Sequence, residues 1–207
     1  MHRLYVPTVG LKRGLWVSTL CLLVGTGCGP TPRQQAAEKF NQGNALRRAG
    51  QDEPALVAYS EAIALAPDYA KAYNNRAAVY LAQGRPELAI ADWTRVIGLA
   101  AAPAGAYHNR GLAHARSSEY DQAIQDFTSA IRHKSDYAAA YNSRGIAFGL
   151  LGQEDRAMAD FDHAIALDGD RVEAYHNRGL LFRKRGQEQE AAADLERARM
   201  LREASQR

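Results

Sequence analysis

The side chains best suited to chemistry in this chain come as a cassette that returns. "AYHNRG" stands at positions 106–111 and again at 174–179, with "AYNNRA" from 72 and "AYNSRG" from 140, so the same residue types recur every 34 positions. A tyrosine, then imidazole or carboxamide groups, then a guanidinium offer donors and acceptors to a polar ligand and a fork for a carboxylate. Catalysis is harder to assemble. No Gly-rich phosphate loop opens a helix after a strand, no histidines pair at metal spacing, and no Cys lies beside a His. His108 and His176 are two cassettes apart, too far for one metal, and Asp162 and Asp168 read as the polar end of a helix. The expectation is a binding protein and not an enzyme, with no metal and no cofactor.

The arginines of the cassette, Arg76, Arg110, Arg144 and Arg178, are matched by a second series, Asp92, Asp126, Asp160 and Asp194. Where the arginine is missing, at Gln42, the aspartate is missing too, at Ala58. Pairing each Arg with the next Asp uses every member, whereas pairing across the period strands Arg76 and Asp194. An unpaired buried guanidinium is expensive, so the pattern predicts four structural ion pairs, each tying together two elements of one repeat.

The elements that hold these groups are legible from the same period. Gly or Ser recurs at Gly50, Gly84, Ser118, Gly152 and Gly186; small residues at Gly43, Ala77, Gly111, Gly145 and Gly179; alanine at Ala55, Ala89, Ala123, Ala157 and Ala191. A bulky residue follows each alanine four places on: Tyr59, Trp93, Phe127, Phe161 and Leu195. Apolar residues run at helical spacing through Tyr73, Ala77 and Tyr80, stop at "QGRPE", and resume through Ala89, Trp93, Val96 and Ile97. Each period is therefore a helix, a tight turn and a second helix. Five such units are expected at about 36–69, 70–103, 104–137, 138–171 and 172–207.

With its aromatic start, small residue, aromatic, alanine and aromatic, "AYNSRGIAFGLLGQEDRAMADFDHAIALD" resembles the tetratricopeptide repeat (TPR) family. The resemblance covers about residues 36 to 207 without insertion. It implies an all-α fold, a right-handed superhelix of helix-turn-helix repeats whose first helices line a concave groove for a protein or peptide partner. The chain departs from the pattern in places: Lys39 occupies the slot of Tyr73, Tyr107, Tyr141 and Tyr175; His114 sits in an aromatic slot; and Pro67 alone keeps the closing proline. Some members grip a terminal carboxylate with two asparagines and three basic residues. Asn44 and Asn75 match that clamp, but Phe40, Gly105 and Asn109 stand at its basic positions, so that ligand is not expected.

Helical spacing turns the residues between Tyr and Arg away from the core side. Asn74, Asn75, His108, Asn109, Asn142, Ser143, His176 and Asn177, with Asn44, are thus the expected groove residues, a ladder able to pair with an extended peptide. Arg47, Arg48, Arg116, Arg183 and Lys184 lie one turn further along and make two ends of the groove basic.

Ahead of the repeats, "MHRLYVPTVGLKRGLWVSTLCLLVGTGCGPTPRQQ" has a basic start and an apolar run from Leu15 to Val24, short for a membrane span and followed by Gly and Pro. Residues 1–27 read as an export signal and 28–35 as a tether. "VGTGC" resembles a bacterial lipoprotein signal, which implies lipid attachment at Cys28 and a membrane anchor; Gly25 departs from its preferred Leu. A conventional cleavage near Cys28 or a retained N-terminal anchor are the alternatives. Arg3, Lys12 and Arg13 account for the net charge of +3, so the remainder is neutral and carries no nucleic-acid footprint. The mature chain would keep Cys28 alone and form no internal disulfide. The reading is an exported adaptor in the bacterial cell envelope; the alternative is a structural solenoid that docks on a second copy through its last repeat.

Overall fold

In four of the five repeats a glycine at the end of the first helix, Gly50, Gly84, Gly152 or Gly186, takes φ between 71° and 75°. This left-handed residue reverses the chain, and the amide after it reaches back five residues, as from Gln51 to the Leu46 carbonyl at 2.9 Å and from Gln153 to Phe148 at 2.9 Å. Ser118 adopts the same conformation, φ 61°, without being glycine. These reversals turn one sequence period into one antiparallel helical hairpin.

The computed structural model describes residues 29–206, and among them it consists of ten helices and no strands. They are α1 (Pro32–Arg48), α2 (Asp52–Leu65), α3 (Ala70–Ala82), α4 (Pro86–Leu99), α5 (Ala104–Arg116), α6 (Tyr120–His133), α7 (Ala138–Leu150), α8 (Glu154–Leu167), α9 (Val172–Lys184) and α10 (Glu188–Ala204). The expected export signal and Cys28 lie outside the described residues. No described helix is long and apolar enough to cross a membrane.

Each hairpin closes on a small residue facing a large one. Ala55, Ala89, Ala123 and Ala157 are fully buried, and Tyr59, Trp93, Phe127 and Phe161 beside them are nearly so. The first helix must come close to let these rings in. A Cβ placed on Gly111 would lie 2.7 Å from the Phe127 ring, and one on Gly145 2.8 Å from Phe161, which is why glycine stands there.

Each second helix packs on the next first helix, giving a stack in which only neighbours touch. Between alternate elements, α5 meets α7 and α7 meets α9, while no two second helices approach as closely. The first helices therefore form the inner layer of the curve, and the second helices the outer.

Candidate functional site: the inner face

The cassette sits in the inner layer, and its arginine is the most fully bonded residue in it. Arg76 donates from Nε and Nη2 to the two carboxylate oxygens of Asp92, both at 2.8 Å. Arg110 meets Asp126 at 2.8 and 2.6 Å, Arg144 meets Asp160 at 2.8 Å twice, and Arg178 meets Asp194 at 2.7 and 2.9 Å. The aspartates are buried, and each carboxylate pushes its guanidinium further up in pKa against the opposing effect of burial.

A third contact went unread in the sequence. The remaining arm, Nη1, crosses to the second helix of the preceding repeat: Arg76 to Ser60 Oγ at 2.9 Å, Arg110 to Thr94 Oγ1 at 3.0 Å, Arg144 to Thr128 Oγ1 at 3.1 Å, and Arg178 to Asp162 at 2.6 Å. One guanidinium thus joins three helices and two repeats. Its signal was present in the period, since Ser60, Thr94, Thr128 and Asp162 are small polar residues in one register. Aromatic faces complete the setting, with Arg144 between the Tyr141 and Phe148 rings at 5.5 and 5.8 Å. In repeat three the second ring is replaced by His114, whose Nδ1 lies 2.6 Å from Glu119 and whose Nε2 lies 3.8 Å from Asp126. Lys39, in the tyrosine slot of the first repeat, reaches Glu61 at 2.6 Å.

The expected ligand ladder is bonded largely to itself. Asn44 Oδ1 accepts from Asn75 at 2.7 Å and from the Tyr59 hydroxyl at 2.9 Å, and Asn74 accepts from the Trp93 indole at 3.1 Å while donating to Asn75 at 3.3 Å. His108 Nε2 shares a hydrogen bond of 3.1 Å with Ser143, and Asn142 accepts from Asn177 at 3.0 Å. His108 and Asn142 are buried, contrary to the expectation that they face an open groove. The reason is the stacking. In the third and fourth repeats the residue just after the cassette tyrosine lies at the seam where the next first helix arrives, and it is covered there.

His108 shows the consequence. Its ring contacts those of Phe127 and Tyr137 at 5.5 and 5.1 Å, and burial holds its pKa below the usual histidine value despite hydrogen bonds to Asn109 and the Ala139 backbone. Burial likewise raises the Tyr137 hydroxyl. Asn75, Asn109, Ser143 and Asn177 are half-buried, and His176 alone of the nine is exposed.

The open part of the inner face lies one helical turn further on, at residues passed over because they are apolar. Ile146, Gly149 and Leu150 on α7 and Leu180 on α9 line a hollow of about 280 Å³, with Phe161 and Ala157 beneath and Asn177 and Lys184 at its edge. Ile146 and Leu180 are 40% exposed and Leu150 58%, and the three lie together around one opening. A second opening at the other end is lined by Asn44, Arg47, Arg48 and Asn75. Among the described residues no group of His, Cys, Asp and Glu could hold a metal.

Stacked antiparallel helix pairs with a curved inner layer define an α-solenoid. Sequence profiles of the tetratricopeptide repeat match residues 43–84, 70–103, 108–171 and 172–204. The chain belongs to the tetratricopeptide repeat family, whose members are typically scaffolds for protein-protein interaction. Similar solved structures include MamA, 25% identical, covering 79% of this chain and 95% of that one with a TM-score of 0.71. PilF of Pseudomonas aeruginosa is 17% identical over 82% of this chain and 77% of its own, TM-score 0.72. YrrB, described as a TPR protein with an unusual peptide-binding site, is 19% identical over 80% and 86%, TM-score 0.64. No curated protein matches the sequence.

Proposed function

We propose that this chain is an exported adaptor of the bacterial cell envelope, lipid-anchored at Cys28, whose inner face holds a segment of a protein partner. The observation that carries the groove reading is the hollow between α7 and α9, where three exposed aliphatic side chains, Ile146, Leu150 and Leu180, gather around one opening. Concave apolar surface with a few polar groups at its edge is the common form of a binding site. The self-bonded ladder then serves as a rigid floor and not as the contact itself.

The export reading rests on the leader and on "VGTGC". Several acyl chains on Cys28 would anchor the protein firmly, since each buried methylene contributes about 0.8 kcal/mol. Docking of copies through the last repeat is disfavoured by α10. Its Arg199 occupies the register of Ile63, Ile97, Ile131 and Ile165, and it is held by Glu196 at 2.7 and 2.9 Å and by Glu203 at 2.6 Å. Ile97, by contrast, packs against a core cluster that includes Ala106 and Ala113 of the following repeat.

Two measurements test the reading separately. Mass spectrometry of the mature N-terminus should find cleavage before Cys28 and a diacylglyceryl thioether; an intact Met1 or an unmodified Cys28 refutes the anchor. A photo-crosslinking residue at Leu180, compared in intact cells with one at Val57, which is 59% exposed on α2, should give a specific adduct only from Leu180. Equal labelling from the two positions, or none, refutes the groove.

A further inference from the structure

Charge on this solenoid is sorted by layer. The five first helices carry twelve Lys and Arg against two acids. The five second helices carry sixteen Asp and Glu against six Lys and Arg. The Arg–Asp clips neutralise four charges on each side and leave the inner layer positive. Part of this surplus lies at helix C-termini, where the backbone dipole favours cations in any helix, so charge alone does not designate a ligand.

The pattern in one register does. Arg48, Ala82, Arg116, Leu150 and Lys184 occupy the same position, 34 residues apart, at the ends of successive first helices. Over α5, α7 and α9 this row reads cation, exposed leucine, cation, and Leu150 opens into the hollow with Ile146 and Leu180. Arg116 is exposed, and Lys184, 61% exposed, leans on Glu154 at 2.7 Å. α5 meets α7 and α7 meets α9 at a few positions, and helices in contact lie on the order of 10 Å apart. An extended segment of polyproline II form returns to the same face every third residue, after about 9 Å. The two spacings are of the same order.

We infer that the inner face takes an extended, acidic segment of a protein partner in which an apolar residue stands three positions from a carboxylate on either side. The apolar side chain enters the hollow at Leu150, and the carboxylates meet Arg116 and Lys184. This rests on the groove reading above and adds to it the chemistry of the occupant. The three-residue period also separates this ligand from an amphipathic helix, whose apolar residues would recur at three and four.

The test uses the full-length chain in detergent and a blocked, fluorescein-labelled heptapeptide, Glu-Pro-Ala-Leu-Pro-Ala-Glu, read by anisotropy. Binding should weaken about tenfold or more when both Glu are replaced by Lys, and again as salt rises through about 0.5 M, because solvent-exposed charge pairs are screened. The Arg116→Glu, Lys184→Glu double variant should reverse the preference and take the Lys peptide; both positions are exposed and the Lys184 bridge to Glu154 is a surface one, so the variant should fold with an unchanged circular dichroism spectrum. Leu150→Glu should abolish binding of the Glu peptide. Equal binding of the two peptides overturns the inference. So does failure of both peptides while Leu180 still crosslinks a partner, which leaves the groove reading standing, or a Leu180 adduct with a second copy of this chain. Failure of peptides and crosslinks together removes both readings.

Discussion

Arg144→Leu should destabilise the solenoid more than any substitution of its partner, because of what each change leaves behind. Asp160 is 4% exposed, and both of its oxygens accept from Arg144 at 2.8 Å. Removing the guanidinium strands a buried carboxylate, a change that costs about 3 to 5 kcal/mol. Removing the carboxylate is milder, since Arg144 keeps Thr128 at 3.1 Å and the Tyr141 and Phe148 faces, and its side chain is 19% exposed to water. Asp160→Asn, which retains an acceptor, should therefore cost less, about 1 to 3 kcal/mol. In the double variant Arg144→Leu, Asp160→Ala the polar pair is gone from both sides, and the loss should be well below the sum of the single losses. A coupling energy of about 2 to 3 kcal/mol follows, at the upper end for residues in one network. Urea unfolding of the four proteins, followed by circular dichroism, measures it. Because a solenoid is held by nearest-neighbour contacts, Thr128→Val should also narrow the coupling between repeats three and four and broaden the transition. A coupling within about 0.3 kcal/mol of zero, the scatter expected of independent sites, would refute the clip as a stabilising device. A larger loss from Asp160→Asn than from Arg144→Leu would refute the burial argument.

Three further outcomes follow from the same geometry. Ser118→Gly should raise stability by about 1 kcal/mol, since a side chain at positive φ is strained, and a urea midpoint that does not move would contradict this. Gly111→Ala places a Cβ 2.7 Å from the Phe127 ring and 3.2 Å from the Ala123 carbonyl, so a loss of about 1 to 3 kcal/mol is expected by chemical denaturation. His108 is held neutral by burial in the folded chain, whereas the unfolded chain takes up a proton near the ordinary histidine pKa of about 6.5. Its full contribution is therefore present above that pH and is lost as pH falls below it, by up to about 1.4 kcal/mol per pH unit until the folded-state value is reached. The stability difference between wild type and His108→Asn should shift in favour of the variant between pH 7.5 and pH 5; a pH-independent difference would count against the burial effect.

The repeat, the hairpin and the partner of each arginine were legible because they are periodic and local. A helical hairpin needs only a turn residue, a small residue and a bulky one at set intervals, and all three recur from Gly43 to Leu195. The Arg–Asp pairing could be read from joint presence and absence, Gln42 with Ala58. The direction of the other polar cassette residues could not. Helical spacing places His108 and Asn142 off the hairpin core, and from one repeat alone that side is solvent. The next first helix covers it, which turns a surface pair such as His108 and Ser143 into a seam.

By itself, then, the sequence determined everything that one repeat decides internally: helix, turn, helix, the small-to-large packing and the clip within the hairpin. Contacts between repeats were left to the tertiary structure, including the third arm of each arginine, the burial of His108 and Asn142, and the exposure of Ile146, Leu150 and Leu180. The physical reason is curvature. Stacking brings the first helices together on the inside, so polar groups deep between them must satisfy one another, and the residues one turn beyond are the ones left open to solvent.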